Sequence, residues 1–217
     1  MRPFNKNFPN VFFDRGRLWT KSDSPQTFFE ERIIRQGGFY REWDAKRSKL
    51  AAALLKNISQ IGIKEDSSVL YLGASHGYTP SFLSDMVSKG HIFAIEFSPV
   101  SGRDLVALCE KKKNIAPIIA NANHPEEYKD IGKVDIVYQD VSQRNQVEIF
   151  LKNCDYFLNS GGFGLLALKA KSIDVTKKPK DVFRTVRAEL ERHITIVDFR
   201  ELEPFEKAHG FYVVKKK

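Results

Sequence analysis

The chain has 217 residues, 42% of them hydrophobic, enough to fill the core of one complete α/β domain and a small appendage. Its 35 Lys and Arg against 27 Asp and Glu leave a formal charge of +8, which favours a polyanionic partner over an acidic protein surface or a neutral metabolite. Two cysteines make no disulfide framework, five histidines lie scattered without metal-ligand spacing, and no segment nears the roughly 20 apolar residues of a membrane span, so a soluble cytoplasmic protein without metal or membrane attachment is expected.

Residues 1–43 differ from the rest. The runs Val11-Phe12-Phe13 and Leu18-Trp19-Thr20 flank the turn Asp14-Arg15-Gly16-Arg17, which predicts a small N-terminal antiparallel β domain. Such a sheet buries little surface alone, so Phe28, Phe29, Phe39 and Tyr40 are expected to pack on the larger domain or on a partner. Residues 44–217 make that larger domain. Leu50, Leu54, Leu55 and Ile58 recur at helical spacing before a linker at Gly62. The strand candidates Val69–Leu72, Ile92–Glu96, Ala116–Ala120, Val134–Gln139 and Gly164–Lys169 then alternate with helical segments, among them Asp104–Lys111 and Gln146–Asn159, where Cys109 and Cys154 read as small buried hydrophobes. This alternation predicts a parallel, doubly wound α/β sheet. After the helix Pro179–Glu191, the strands Ile194–Phe199 and Phe211–Val214 leave no room for a crossover and must pair antiparallel. A mostly parallel seven-stranded sheet that ends in such a hairpin is more characteristic of methyltransferases than of dehydrogenases.

The first strand of that sheet runs into Gly73-Ala74-Ser75-His76-Gly77, a helix opens near Thr79 and Pro80, and Glu96 closes the next strand roughly 20 residues later. Gly73 and Gly77 let the backbone approach a ligand, the helix start presents unpaired N–H groups, and Glu96 can accept both hydroxyls of a ribose. Three residues stand between the glycines, unlike the cradle of a dinucleotide pyrophosphate, which favours an adenosine-bearing sulfonium cofactor.

Ligands of an open α/β sheet lie beyond the carboxyl ends of its strands, so Gly73, Glu96, Asn121, Asp140 and Lys169 are the first candidates. Asp140 follows Ile136-Val137-Tyr138 and Lys169 ends Leu165-Leu166-Ala167-Leu168, so both charges should emerge at one rim. Lys171, Lys177, Lys178 and Lys180 add a basic approach suited to a phosphodiester. Lys49 opens a helix where its charge opposes the macrodipole, which points to a functional cation, and His209 falls in the loop between the last two strands.

The runs VLYLGASHGYTPS, EFSPVSGRDL, ANANHPEEY, VDIVYQDVSQRNQ, LKAKSIDVT and EPFEKAHGF, in this order, resemble fibrillarin, in particular the short archaeal form without a Gly-Arg-rich region. The resemblance implies a Rossmann-like S-adenosylmethionine-dependent methyltransferase fold. It further implies RNA 2′-O-methylation of ribosomal and transfer RNA inside a box C/D ribonucleoprotein, with a guide RNA, a target RNA, a Nop-domain scaffold protein and a kink-turn-binding protein as partners. Carried over residue by residue, it implies cofactor contacts from Gly73, Ala74, Thr79, Glu96, Phe97, Asn121, Ala122, Asp140 and Gln143, and a catalytic tetrad of Lys49, Asp140, Lys169 and His209. Within that tetrad, Lys169 oriented by Asp140 would steer the 2′-hydroxyl or accept its proton, Lys49 would hold phosphate, and His209 would orient the ribose or relay the proton. Two departures stand out: Asn121 where many relatives carry an acid, and His76 and Tyr78 in place of smaller residues. The competing readings are a small-molecule methyltransferase or dehydrogenase, and a catalytically silent scaffold that keeps the fold.

Overall fold

Along the strands of the larger sheet, buried side chains alternate between two faces, and both faces are covered. In the computed structural model, which describes residues 1–217, that sheet comprises β6 (Ser68–Leu72), β7 (His91–Glu96), β8 (Ile115–Ile119), β9 (Val134–Gln139), β10 (Leu158–Lys169), β11 (Thr195–Glu201) and β12 (His209–Lys215), ordered β11-β12-β10-β9-β6-β7-β8. β10, β9, β6, β7 and β8 run parallel, while β12 pairs antiparallel with both β10 and β11. One face buries Tyr71, Tyr138, Ala167 and Phe211 beneath α1 (Lys49–Leu55), α2 (Tyr78–Met86) and α3 (Pro99–Cys109). The other buries Leu72, Val137, Leu168 and Tyr212 beneath α4 (Gln146–Phe157) and α6 (Pro179–Glu191). A 3-10 helix, Pro125–Ile131, and the short α5 (Ala170–Ile173) complete the connections.

The N-terminal sheet is antiparallel throughout: β1 (Arg2–Pro3), β2 (Val11–Asp14), β3 (Arg17–Ser22), β4 (Ile33–Arg35) and β5 (Phe39–Trp43), ordered β1-β2-β3-β5-β4. It has no core of its own. Phe8, Val11, Leu18 and Trp43 belong to the same hydrophobic cluster as α1 and α2, and Trp43 stacks on Phe82 at 5.3 Å between ring centroids. Of the four aromatics expected to pack on the larger domain or on a partner, two reach the larger domain. Phe29 meets His76 and Tyr78 edge-on and Phe28 lies against Arg41 and Lys112, whereas Tyr40 turns back onto Phe12 and Phe39 onto Arg35.

Several element boundaries differ from the sequence expectation, most of them by one or two residues. α4 ends at Phe157 and passes without a loop into β10, which starts six residues before Gly164 and shifts register between Leu158 and Phe163. The glycine-rich stretch there hides a strand whose identity comes from pairing with its neighbour. α3 begins at Pro99, five residues before Asp104, because Ser98 caps it by accepting from the Ser101 N–H. β12 begins at His209, which therefore lies in the sheet and not in a loop; the Leu202 N–H donates to the His209 carbonyl and extends the hairpin.

Candidate active site

The chain steps outward from β6 through β7 to β8, then returns to place β9 on the other side of β6, so a crevice opens between the carboxyl ends of β6 and β9. Gly73 and Asp140 face each other across it. Gly73 has φ +80°, and a Cβ there would lie 2.6 Å from the Asp140 carbonyl oxygen, so no side chain fits. The N–H groups of Gly73 and Ala74 both donate to the Ile95 carbonyl at 3.0 Å, pinning the loop to β7. Gly77, at φ +91°, caps α2, whose first-turn N–H groups at Tyr78 and Thr79 have no acceptor inside the helix.

Glu96 ends β7 with its carboxylate held by two backbone donors, Ser75 N–H at 2.7 Å and Ser98 N–H at 2.8 Å. The Asn121 side-chain oxygen accepts from both the N–H and the amide of Asn123, at 3.0 and 2.9 Å. Asn123 in turn donates to Gln143 Oε1 at 3.1 Å and accepts from Asn145 at 2.8 Å, so it joins the loops after β8 and β9. Ala122 is buried, its carbonyl held by Asn153, while Phe97 is 65% exposed. Thr79 is buried and donates its hydroxyl to Ser48 Oγ at 3.0 Å, which ties α2 to the cap of α1 and leaves its backbone N–H as the group toward a ligand. The side that Gly73 and Gly77 leave without a Cβ faces the Asp140 backbone and Leu108, so these glycines pack the loop against the domain and do not open it to a ligand as the sequence suggests. An oriented carboxylate for ribose hydroxyls, the N–H groups at the start of α2, an amide and an exposed aromatic face together fit an adenosine moiety.

The charged rim follows from strand alternation. Asp140 lies two residues past Tyr138, Lys169 two past Ala167 and His209 two before Phe211, so all three take the face covered by α1. Lys169 and His209 are direct partners in the β10–β12 register. Lys49, the first residue of α1 behind the cap Ser48, donates to Asp140 Oδ2 at 3.1 Å. His209 is 8% exposed; its Nδ1 donates to the Lys207 carbonyl at 2.8 Å, which fixes the tautomer and leaves Nε2 as an acceptor. Burial, aided by the Lys49 charge, lowers the His209 proton affinity below the ordinary value, against the opposing pull of the Lys207 carbonyl, Glu206 and Asp140. Tyr71 and Tyr138 stack at 4.3 Å beneath the rim, and burial followed by the nearby charge of Asp140 keeps the Tyr71 phenol protonated.

Lys49, Asp140, Lys169 and His209 thus converge, with one difference from the sequence expectation. Asp140 pairs with Lys49, not with Lys169. Lys49 reaches over from α1 to the carboxylate, whereas the non-ladder hydrogen bonds of Lys169 are backbone bonds to Gln146. Ser48, Asn123 and Gln146 join the site without being among the residues that its sequence motifs assign to it. Ser48 has a local signal, a serine directly before an apolar helical run. Asn123 and Gln146 have none, since their partners Gln143 and Lys169 lie 20 and 23 residues away.

The family model for fibrillarin matches residues 4–217. A curated relative from Methanocaldococcus jannaschii, a fibrillarin-like rRNA/tRNA 2′-O-methyltransferase, is 48% identical over 215 residues, covering 95% of this chain and 94% of its own. The crystal structure of Aeropyrum pernix fibrillarin with natively bound S-adenosyl-L-methionine superposes with a TM-score of 0.89 at 38% identity, covering 99% of this chain and 97% of that one. A crystal structure of a fibrillarin/Nop5p complex superposes with a TM-score of 0.90 at 38% identity, covering 96% and 98%. Matched almost end to end by model, sequence and structure, the chain belongs to the fibrillarin family.

Proposed function

We propose that this protein transfers a methyl group from S-adenosylmethionine to the 2′-hydroxyl of ribose in ribosomal and transfer RNA, within a guide ribonucleoprotein. The observation that carries this reading is the double role of Asp140. Its carbonyl closes on Gly73 in the adenosine-fitting cradle and its carboxylate takes Lys49 at 3.1 Å in the charged rim, so donor crevice and acceptor rim share one residue. Bound in the cradle, S-adenosylmethionine would supply an electrophilic methyl group. The chain's own residues bring the second reactant to it. Gly73, Ala74, Thr79, Glu96, Phe97, Asn121, Ala122 and Gln143 hold the adenosyl end, and Lys49, Asp140, Lys169 and His209 receive the ribose. Lys169, without an acidic partner, is the cation available to the incoming sugar-phosphate, and neutral His209 offers Nε2 to the hydroxyl proton. Exposed Lys171, Lys177, Lys178 and Lys180 extend positive charge along the approach.

Neither sheet carries a recognisable module for reading base edges, so target choice falls to guide-RNA pairing presented by a Nop-domain scaffold and a kink-turn-binding protein. Asp140→Ala should lower methylation in a reconstituted guide complex by roughly 100-fold or more while the complex still assembles by size exclusion. Methylation at the parent rate would refute the site. Calorimetric titration separates the cofactor classes: S-adenosylmethionine should bind and NAD should not, and the reverse preference would overturn the reading.

A further inference from the structure

We propose that Gln146 is the positioning residue for Lys169, its side-chain amide standing in for a strand residue that β9 does not provide. The inference rests on the methyltransferase reading above, in which Lys169 acts at the rim. Parallel pairing of β9 with β10 stops at Gln139 opposite Leu166, three residues before Lys169. A strand residue points its N–H and C=O to the same edge, and the Ala170 N–H, one residue on, already donates to Ala208 on the β12 side. Both backbone groups of Lys169 therefore face the gap beyond β9. Gln146 fills it: Oε1 accepts from the Lys169 N–H at 3.0 Å and Nε2 donates to the Lys169 carbonyl at 3.1 Å. One amide takes both groups of one residue, the pattern of a sheet ladder.

The clamp is itself held. Gln146 is fully buried at the first residue of α4, and Gln139 Nε2 donates to its backbone carbonyl at 2.6 Å. Its Nε2 also reaches the Gln143 carbonyl at 3.0 Å, so the same amide fixes the loop that follows Asp140. On the opposite edge Lys169 faces His209 as a non-hydrogen-bonded pair, the kind in which side chains approach most closely. The stem of Lys169 thus starts from a backbone fixed on one edge by Gln146 and placed against His209 on the other. Without the clamp the end of β10 is free to drift at the point where the lysine leaves the sheet.

The test compares Gln146→Met, Gln146→Glu and Lys169→Ala with the parent in the full guide complex. Gln146→Met, close in shape but unable to hold the peptide, should lower kcat by about 10- to 100-fold with KM for S-adenosylmethionine and RNA within about threefold. Hydrogen exchange in the Met variant should quicken at the Lys169 amide while the rest of β10 keeps its protection. In Gln146→Glu the carboxyl, once protonated, restores one donor, so its rate relative to parent should rise as pH falls. Parent-level kcat in the Met variant, with Lys169→Ala inactive, would overturn the clamp alone. Loss of protection across all of α4 and β10 would reduce Gln146 to a structural role and also overturn it. Parent-level methylation by Lys169→Ala would remove the rim reading and the clamp with it.

Discussion

Two clusters of charged residues sit on the same face of the larger sheet, and they differ in whether their donors are used up. Beneath the N-terminal sheet, Arg41 is wholly buried, with Glu31 at 2.6 Å, Asp85 at 2.9 Å and Ser81 at 3.0 Å taking its guanidinium, and the rings of Phe28 and Phe82 against it. Thr20 and Lys112 complete the shell of Asp85. At the rim, the Lys49–Asp140 pair stays about one-fifth exposed, Lys169 has no acidic partner and His209 keeps a free Nε2. A sealed, saturated cluster can only hold parts together. An open one with unmet valence can receive a substrate.

Breaking the sealed cluster should have the largest effect on stability. Arg41→Met takes the buried cation away from Glu31 and one of the two cations away from Asp85, which keeps Lys112 and Thr20, and should reduce the free energy of unfolding by about 3–5 kcal/mol in urea titration. Adding Glu31→Gln should recover part of that loss, since Glu31 is the carboxylate left without a cation, whereas Asp85 must stay charged to hold Lys112. If the single variant unfolds within about 1 kcal/mol of the parent, the cluster is not the joint between sheet and α2.

The open pair should respond in the opposite sense. Lys49→Gln removes a partly solvated partner and should change stability by no more than about 1 kcal/mol, yet lower methylation by roughly tenfold or more because Asp140 loses its fixed position. Parent-level turnover with a large fall in stability would assign the rim pair to structure and erase the contrast with Arg41.

Much of the larger sheet is legible in the sequence because its signal is local: each strand is a short apolar run bounded by polar turns, and alternation places Asp140 and Lys169 at one rim. The Gly73–Gly77 loop is legible for the same reason, since the glycines mark positions that the backbone alone dictates. What composition conceals is anything decided by a partner distant in sequence. β10 begins at Leu158, opposite Val134 of β9, and runs through a glycine-rich stretch held by Lys216, and the sheet of residues 1–43 shares its core with α1 and α2. Lys49 and Asp140 are individually conspicuous, but only their distance of 3.1 Å shows that Asp140 serves Lys49 and leaves Lys169 to Gln146.

The smallest effect isolates His209. Its folded-state proton affinity lies below the ordinary 6.5, chiefly through burial and next through Lys49, with Glu206, Asp140 and the Lys207 carbonyl pulling the other way. The unfolded chain therefore binds more protons than the native state as pH falls through that window, so this group's contribution is fully present above the unfolded value and lost on acidification. Measured between about pH 7.5 and 5, the unfolding free energy of the parent should fall more steeply than that of His209→Gln. Parallel curves would mean that His209 titrates alike in both states, and its Nε2 would then be no better a proton acceptor at the rim than a histidine in water.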